Sequence, residues 1–246
     1  MADPSRKNLL ITGGAKRLGR GIALAGAALG YHVAIHYHTS ESAAARLAEE
    51  IRGLGVFAAP FSGDLADPTT AKPLFGAVTE KIGPVSLLVN SASIFRPSRL
   101  LDFSLEELDE EVRVNAFSPL LLCREMAAQA EPGAIVNILD SRMNSYDDTH
   151  VAYHLSKRMF YDMTRMLAIE LAPRIRVNAV APGLILPPNG SDADYLETHR
   201  NENPLKRHGS VEEIADAVFF LAQSPFVTGQ TIFVDGGRHL NSSVYG

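Results

Sequence analysis

The feature that most limits how this chain can fold is a repeated alternation of short apolar runs with longer segments of helical periodicity. The runs are KNLLIT from Lys7, HVAIHY from His32, VFAAPF from Val56, VSLLVNSAS from Val85, AIVNILD from Ala134, IRVNAVAPG from Ile175 and TIFVDGG from Thr231. Their near-continuous apolarity is the pattern of strands buried on both faces, and helical patterns separate most neighbours. Strands joined by helical crossovers lie parallel. The expected fold class is therefore α/β, a doubly wound parallel sheet with helices on both faces. At 246 residues, 46% of them hydrophobic, a single domain spanning residues 1–246 can bury a full core. No internal repeat and no linker rich in Pro, Gly or Ser divides it.

The first unit narrows the class. Lys7 to Thr12 reads as a strand, GGAKRLGRG as a turn, Ile22 to Gly30 as an alanine-rich helix, and His32 opens the next strand. This is the first half of a dinucleotide-binding βαβ unit, so a single Rossmann-type domain is expected. Gly13 and Gly14 follow the strand and Gly19 enters the helix, which leaves backbone amides and a helix N-terminus to face a pyrophosphate. Gly13, Arg17, Leu18 and Gly19 are the cofactor-facing residues of that turn; the alternative is a plain strand-to-helix connection. The second strand ends in His36, Tyr37, His38, Thr39 and Ser40, where an NAD-selective site places an acid. With no carboxylate to repel a phosphate, and Arg17 adding a cation to the hydroxyl donors, the corner suits a 2′-phosphate and NADPH/NADP+ is expected.

Two helices carry start signals. Ser104 with Glu107, and Ser210 with Glu213, have capping-box spacing, and Pro119 should bend or split the helix after Ser104. Leu184 to Gly209 is polar and proline-rich, too long for an ordinary connection, and is a candidate lid over residues 184–209.

The chemistry is expected between Asp140 and Lys157. Tyr153 and Lys157 are four residues apart and share one face if the segment is helical. A cation beside a phenol favours phenolate, which lowers a pKa of about 10 towards neutrality. The pair alone carries little weight, because such spacings also arise by chance.

Composition removes other classes. A net charge of -5 with a pI of about 5.9 gives no basic footprint, so no nucleic-acid partner is expected. The N-terminal MADPSRKN lacks the apolar core of a signal peptide, and no run approaches the ~18 apolar residues of a membrane span. The single cysteine, Cys123, reads as a small core residue and fits a reducing compartment, so the cytoplasm is expected. His36 with His38, and His150 with His154, raise a metal reading, but no third ligand stands near either pair and no metal is expected.

TGGAKRLG, then GDL at Gly63–Leu65, NSAS at Asn90–Ser93, Asn115, Tyr153 with Lys157, and PG at Pro182–Gly183 follow one another in the order and spacing of a known group. On these motifs the chain resembles the short-chain dehydrogenase/reductase family over nearly its whole length. The resemblance implies that Asp64 and Leu65 lie by the adenine and that Asn90, Ser91 and Ala92 line the cofactor. It implies that Tyr153 and Lys157 meet the nicotinamide ribose, and that Pro182, Gly183, Leu184 and Ile185 border the carboxamide. Asn115 would support a proton-relay water. Other roles stay open for two of these: Asn115 bonding backbone at the helix bend, and Asp64 capping a turn.

Two departures from the general pattern are informative. Arg17 replaces the middle glycine of the turn, and Asp140 stands thirteen residues before Tyr153, the usual place of a catalytic serine. Together with HYH they resemble the pteridine reductases and, through FVTGQTIFVDGGRHL, the dihydromonapterin reductases, also called alternative dihydrofolate reductases. That resemblance implies Arg17, Ser93, Phe95, Asp140 and Tyr153 as substrate contacts, with Phe95 stacking a pterin ring. Thr39 stands where pteridine reductases carry arginine. An ionised Asp140 would oppose the charge that develops on a reduced carbonyl, whereas a protonatable ring C=N avoids that conflict. Two alternatives remain: that Asp140 turns aside and Ser141 is the polarising hydroxyl, and that Phe95 is a loop aromatic filling the core.

The expected function is NADPH-dependent reduction of a dihydropterin (dihydromonapterin, dihydrobiopterin or dihydrofolate) to its tetrahydro form, with Asp140, Tyr153, Lys157 and Asn115 as the catalytic set. The alternatives are a carbonyl reductase acting on an oxoacyl chain or a sugar, and a catalytically silent NADPH-binding sensor. The partner is a small pterin or folate molecule, and the family resemblance implies a homo-oligomer, often a tetramer. The tail RHLNSSVYG either reaches a neighbouring subunit's site or is disordered.

Overall fold

The computed structural model describes residues 7–144, 148–188, 190–192 and 194–240. Expectations for the first six residues and for the tail after Leu240 lie outside the described residues, as do Ser145–Asp147 within the Asp140–Lys157 stretch.

The apolar runs form β1 (Asn8–Ile11), β2 (His32–Tyr37), β3 (Ala58–Ser62), β4 (Leu87–Asn90), β5 (Gly133–Ile138), β6 (Ile175–Pro182) and β7 (Thr231–Val234). They make one parallel sheet in the order β3-β2-β1-β4-β5-β6-β7. The helices are α1 (Arg17–Ala28), α2 (Glu41–Gly53), α3 (Ala71–Ile82), α4 (Leu105–Val112), α5 (Ser118–Ala128), α6 (Val151–Glu170), α7 (Tyr195–His199) and α8 (Val211–Gln223). One core packs α1, α2 and α8 on a sheet face around Leu9, Ile35, Ile51 and Val218. The other packs α3, α5 and α6 on the opposite face around Leu10, Phe75, Met126 and Val177. Cys123 lies in the second core, where burial pushes its thiol up to about 12.

The chain leaves β1 towards β2 on one side and returns to β4 on the other, so a crevice opens where these directions diverge. Register pairs Ile11 with Val89, which sets Thr12 beside the end of β4. There the Thr12 hydroxyl accepts the N–H groups of Ser91 and Ala92, each at 3.0 Å.

One local expectation is revised and one holds. Helix α1 begins at Arg17 rather than Ile22, so the second half of GGAKRLGRG is helix and not turn. Its glycines are there for close packing: a Cβ on Gly19 would fall 2.3 Å from the Gly13 carbonyl oxygen, and one on Gly26 2.7 Å from Leu9. Pro119 splits its helix through a five-residue π-turn, Arg113–Phe117, before α5 starts. Proline has no N–H for the carbonyl of Asn115 four residues earlier, and the turn widens there. Both capping boxes form as read.

The 184–209 region is partly ordered by its own contacts. It carries α7 and a 3-10 turn at Arg200–Glu202, and Gly209 N–H donates to the Leu184 carbonyl at 2.9 Å. Arg207 bridges to Glu213 of α8 at 2.6 Å. Among the described residues, no helix is long and apolar enough to cross a membrane.

Candidate active site

A cleft of about 420 Å³ opens at the C-terminal ends of β1, β4, β5 and β6. Gly13, Arg17, Leu18 and Gly19 form one wall. Ser91, Ala92, Ser93 and Phe95 form a second, and Asp140, Tyr153 and Lys157 a third, with Pro182 and Gly183 closing the end. Residues far apart in the chain are thus brought together as the motifs suggested. Helix α1 has no side-chain cap at its N-terminus and opens on the cleft through Arg17, Leu18 and Gly19, which fits a pyrophosphate.

Tyr153 lies in the first turn of α6. His150 does not cap this helix with its own side chain; Ser98, from the connection after β4, does so from a distance. Ala152 N–H donates to Ser98 Oγ and Val151 N–H to the Ser98 carbonyl, both at 3.0 Å. The phenol of Tyr153 donates to Asp140 Oδ2 at 2.9 Å, and Arg142 N–H donates to Oδ1 at 2.7 Å. Asp140 therefore faces Tyr153 rather than turning aside. The neighbouring Ser141 hydroxyl is buried and has no hydrogen-bond partner among the described residues.

The effect on the phenol is opposite to the one the Tyr-Lys spacing suggests. Burial, followed by the charge of Asp140, pushes the Tyr153 pKa well above its ordinary value. Lys157 does not offset this, because its ammonium donates to the Ile138 carbonyl at 3.0 Å and stands 5.7 Å from the centre of the Tyr153 ring. Burial also lowers the Lys157 ammonium to about 8, against the opposing pull of Asp140 and Glu111. The protein alone holds a neutral phenol that donates to a carboxylate.

Phe95 is 45% exposed at the cleft and so is not a core filler. One ring face stacks on His150, with centroids 4.0 Å apart, and the Tyr153 ring meets it edge-on at 4.7 Å. Arg17 has a φ of 52°, a left-handed conformation that costs a non-glycine residue about 1 kcal/mol. Its guanidinium donates to the Pro187 carbonyl at 2.6 Å, which ties α1 to the segment after β6 at the cleft.

Asn115 is fully buried in the π-turn, and its side chain bonds backbone, as one of its two readings held. Its Oδ1 accepts Ile94 N–H at 2.9 Å and the Ser93 hydroxyl at 3.1 Å. Its Nδ2 lies 3.0 Å from both the Ile94 carbonyl and Ser156 Oγ, and 2.8 Å from Glu111 Oε2.

Several proposed cofactor contacts point elsewhere. His36 is buried, accepting Gly13 N–H at Nδ1 (3.2 Å) and facing the Gly63 carbonyl with Nε2 (3.1 Å). It braces the glycine turn against β3 instead of lining the phosphate corner, and burial lowers its pKa to about 4. Asn90 turns inward and donates to Asn137 at 2.9 Å. Leu65, Leu184 and Ile185 are buried, and Leu186 and Pro188 border the cleft instead. Asp64 accepts Ala66 N–H at 2.9 Å, the turn-capping role left open for it, and lies 3.9 Å from His38. Tyr37, Thr39 and Ser40 remain partly or fully exposed at the end of β2, and the Ser40 side chain makes no cap bond to α2. Among the described residues, no three His, Cys, Asp or Glu side chains gather as metal ligands.

Three contributors were not legible as such. Thr12 follows a strand like many threonines, Ser98 has no nearby helix to advertise its cap, and Glu111 is one of four glutamates in α4. Only the spacing of Glu111 four residues before Asn115 hinted at contact.

Residues 13–239 match a family described as enoyl-(acyl carrier protein) reductase. The chain is 33% identical to the 3-oxoacyl-[acyl-carrier-protein] reductase FabG of Staphylococcus epidermidis, over 95% of this chain and 99% of that protein. It is 31% identical to an L-rhamnose 1-dehydrogenase (NAD(P)(+)) of a Sphingomonas species, over 96% and 97% respectively. Its fold superposes with a TM-score of 0.90 on FolM alternative dihydrofolate reductase 1 from Brucella canis complexed with NADP. That pair is 33% identical and covers 97% of this chain and 96% of the other.

His36 gives the site a pH signature. Its folded pKa of about 4 lies below the ordinary 6.5, so the unfolded chain takes up a proton that the folded chain refuses. This stability is complete above pH 6.5 and lost as pH falls towards 4, about 3 kcal/mol in all. Urea titrations at pH 4.5 and 7.5 should show a smaller acid loss in His36→Asn than in the parent; equal losses would remove this role.

Proposed function

Because the chain belongs to the short-chain dehydrogenase/reductase family, we propose that this NADP-dependent oxidoreductase reduces a dihydropterin to its tetrahydro form. NADPH supplies the hydride when bound. The ring carbon of a C=N bond takes that hydride and the adjoining nitrogen takes a proton, so two electrons and one proton are accounted for. The observation that carries the reading is the 2.9 Å bond from the Tyr153 phenol to Asp140.

Each residue has a role in this scheme. Gly13, Leu18 and Gly19 give backbone access to the pyrophosphate, and His38, Thr39 and Ser40 provide donors at the 2′-phosphate, with the Asp64 carboxylate 3.9 Å from His38 beside them. Lys157 orients the ribose. Tyr153, held protonated, is the proton donor, and the Asp140 carboxylate orients the phenol and accepts a ring N–H or amino group. Arg17 and Phe95 hold the pterin, with the ring face not covered by His150 available for stacking. Asn115 acts on the relay by fixing Ser93 and Ile94.

The carbonyl alternative is supported by the likeness to FabG, which equals in identity the likeness to FolM. A carboxylate 2.9 Å from the phenol oxygen weighs against it, since it would lie beside a developing oxyanion. NADPH oxidation should be measured with dihydromonapterin, dihydrobiopterin, dihydrofolate, a 3-oxoacyl thioester and a sugar. Turnover of a pterin is expected, with a loss of tenfold or more, about 1.4 kcal/mol, in Asp140→Ser. Oxidation only with the carbonyl compounds overturns the reading.

The buried lysine adds a pH limit. Its ammonium is lost as pH rises through about 8, so kcat/KM should fall across that range. A profile flat to pH 9.5 would show that its charge is not needed.

Self-association is part of the same proposal. Leu155, Met159, Met166 and Ile169 lie exposed along one face of α6 at spacings of four, seven and three, with Asp162 among them. Light scattering should give an oligomer that Ile169→Asp weakens; a monomeric parent protein would contradict this.

A further inference from the structure

Glu111 is the one glutamate of α4 that faces inward, and it is 2% exposed. A buried carboxyl needs bonds to both oxygens, and Glu111 has them. Oε1 accepts the N–H of Arg96 at 3.2 Å, and Oε2 accepts from the side-chain amide of Asn115 at 2.8 Å. Asn115 in turn holds Ile94 by both its N–H and its carbonyl. The backbone on either side of Phe95 is thus fastened to one carboxylate, directly at Arg96 and through Asn115 at Ile94. Phe95 itself projects into the cleft.

Both partners of Glu111 are donors. A carboxylate satisfies them together, whereas a neutral carboxyl brings a hydrogen that neither can accept, so one of the two bonds must weaken. We propose that Glu111 is a positioning residue that sets Phe95 at the mouth of the cleft, and that its protonation loosens the segment Ser93–Arg96 and with it the grip on substrate. This concerns any substrate that meets Phe95 and does not rest on the pterin assignment.

The charges around Glu111 place the transition in a useful range. Burial pushes its carboxyl up to about 7, against Arg96 from the loop before α4, Asn115 from the π-turn and Lys157 from α6. Tyr153, also on α6, feels the charge of Glu111, and Arg96 is shared with Glu110 on the same helix as Glu111. His150 faces the Phe95 ring from the other side. From pH 8 to pH 6 the ionised fraction of Glu111 falls from about nine-tenths to about one-tenth.

The test uses the NADP+-loaded protein and two readouts. Amide hydrogen exchange of peptides spanning Ser93–Arg96, corrected for the intrinsic pH dependence of exchange, is compared at pH 6 and pH 8. Protection should drop several-fold at pH 6 in the parent, be low at both pH values in Glu111→Gln, and keep its pH dependence in Glu111→Asp. In steady-state assays on whichever substrate is turned over, KM should rise up to about tenfold between pH 8 and pH 6 with a smaller change in kcat, and Glu111→Gln should have a high, flat KM. Protection that is unchanged with pH in the parent overturns the proposal, and this arm needs neither a variant nor a known substrate. A pH dependence that survives in Glu111→Gln assigns the effect to His150 or another group and overturns it equally.

Discussion

The structure depends first on the divergence of the chain at β1. With β2 hydrogen-bonded on one side and β4 on the other, the loops after β1 and β4 separate above the sheet, and a crevice follows from topology alone. The Thr12 hydroxyl sets its width by binding the amides of Ser91 and Ala92. Gly13 can then approach that wall closely: a Cβ there would be 2.9 Å from Ala92 Cα. His36 secures the same turn from the far side. The cleft is thus held open by side chains that do not themselves line it.

The same economy recurs around Phe95, Asp140 and Tyr153. Phe95, Asp140 and Tyr153 face the cleft, but Ser98 fixes the start of α6, Arg142 N–H fixes Asp140, and Glu111 with Asn115 fixes the loop that carries Phe95. Burial sets the electrostatics. It raises Tyr153 and Glu111 and lowers Lys157 and His36, each towards its neutral form. A neutral phenol beside a carboxylate is a different starting point from a phenolate beside an ammonium.

Where the determinants of a feature lie within about four residues, the chain was readable. The strands, the two capping boxes and the break at Pro119 are of this kind, since each follows from periodicity, a cap or a missing N–H. Tyr153 and Lys157 do share one helix, as their spacing implied, and Asp140 meets the phenol across thirteen residues. The boundary of α1 was missed because its glycines signal a turn locally and serve close packing in the fold.

Composition and pattern by themselves determined the α/β class, the glycine-rich connection after β1, and the residue types gathered near Tyr153. Only the tertiary structure decided which way those side chains point and which charges they carry. His36 and Asn90 turn inward, Lys157 bonds the Ile138 carbonyl, and one of four similar glutamates becomes the clamp behind Phe95. The reason is that desolvation and long-range hydrogen bonding depend on every element packed around a group, whereas helix and strand periods depend on its near neighbours alone.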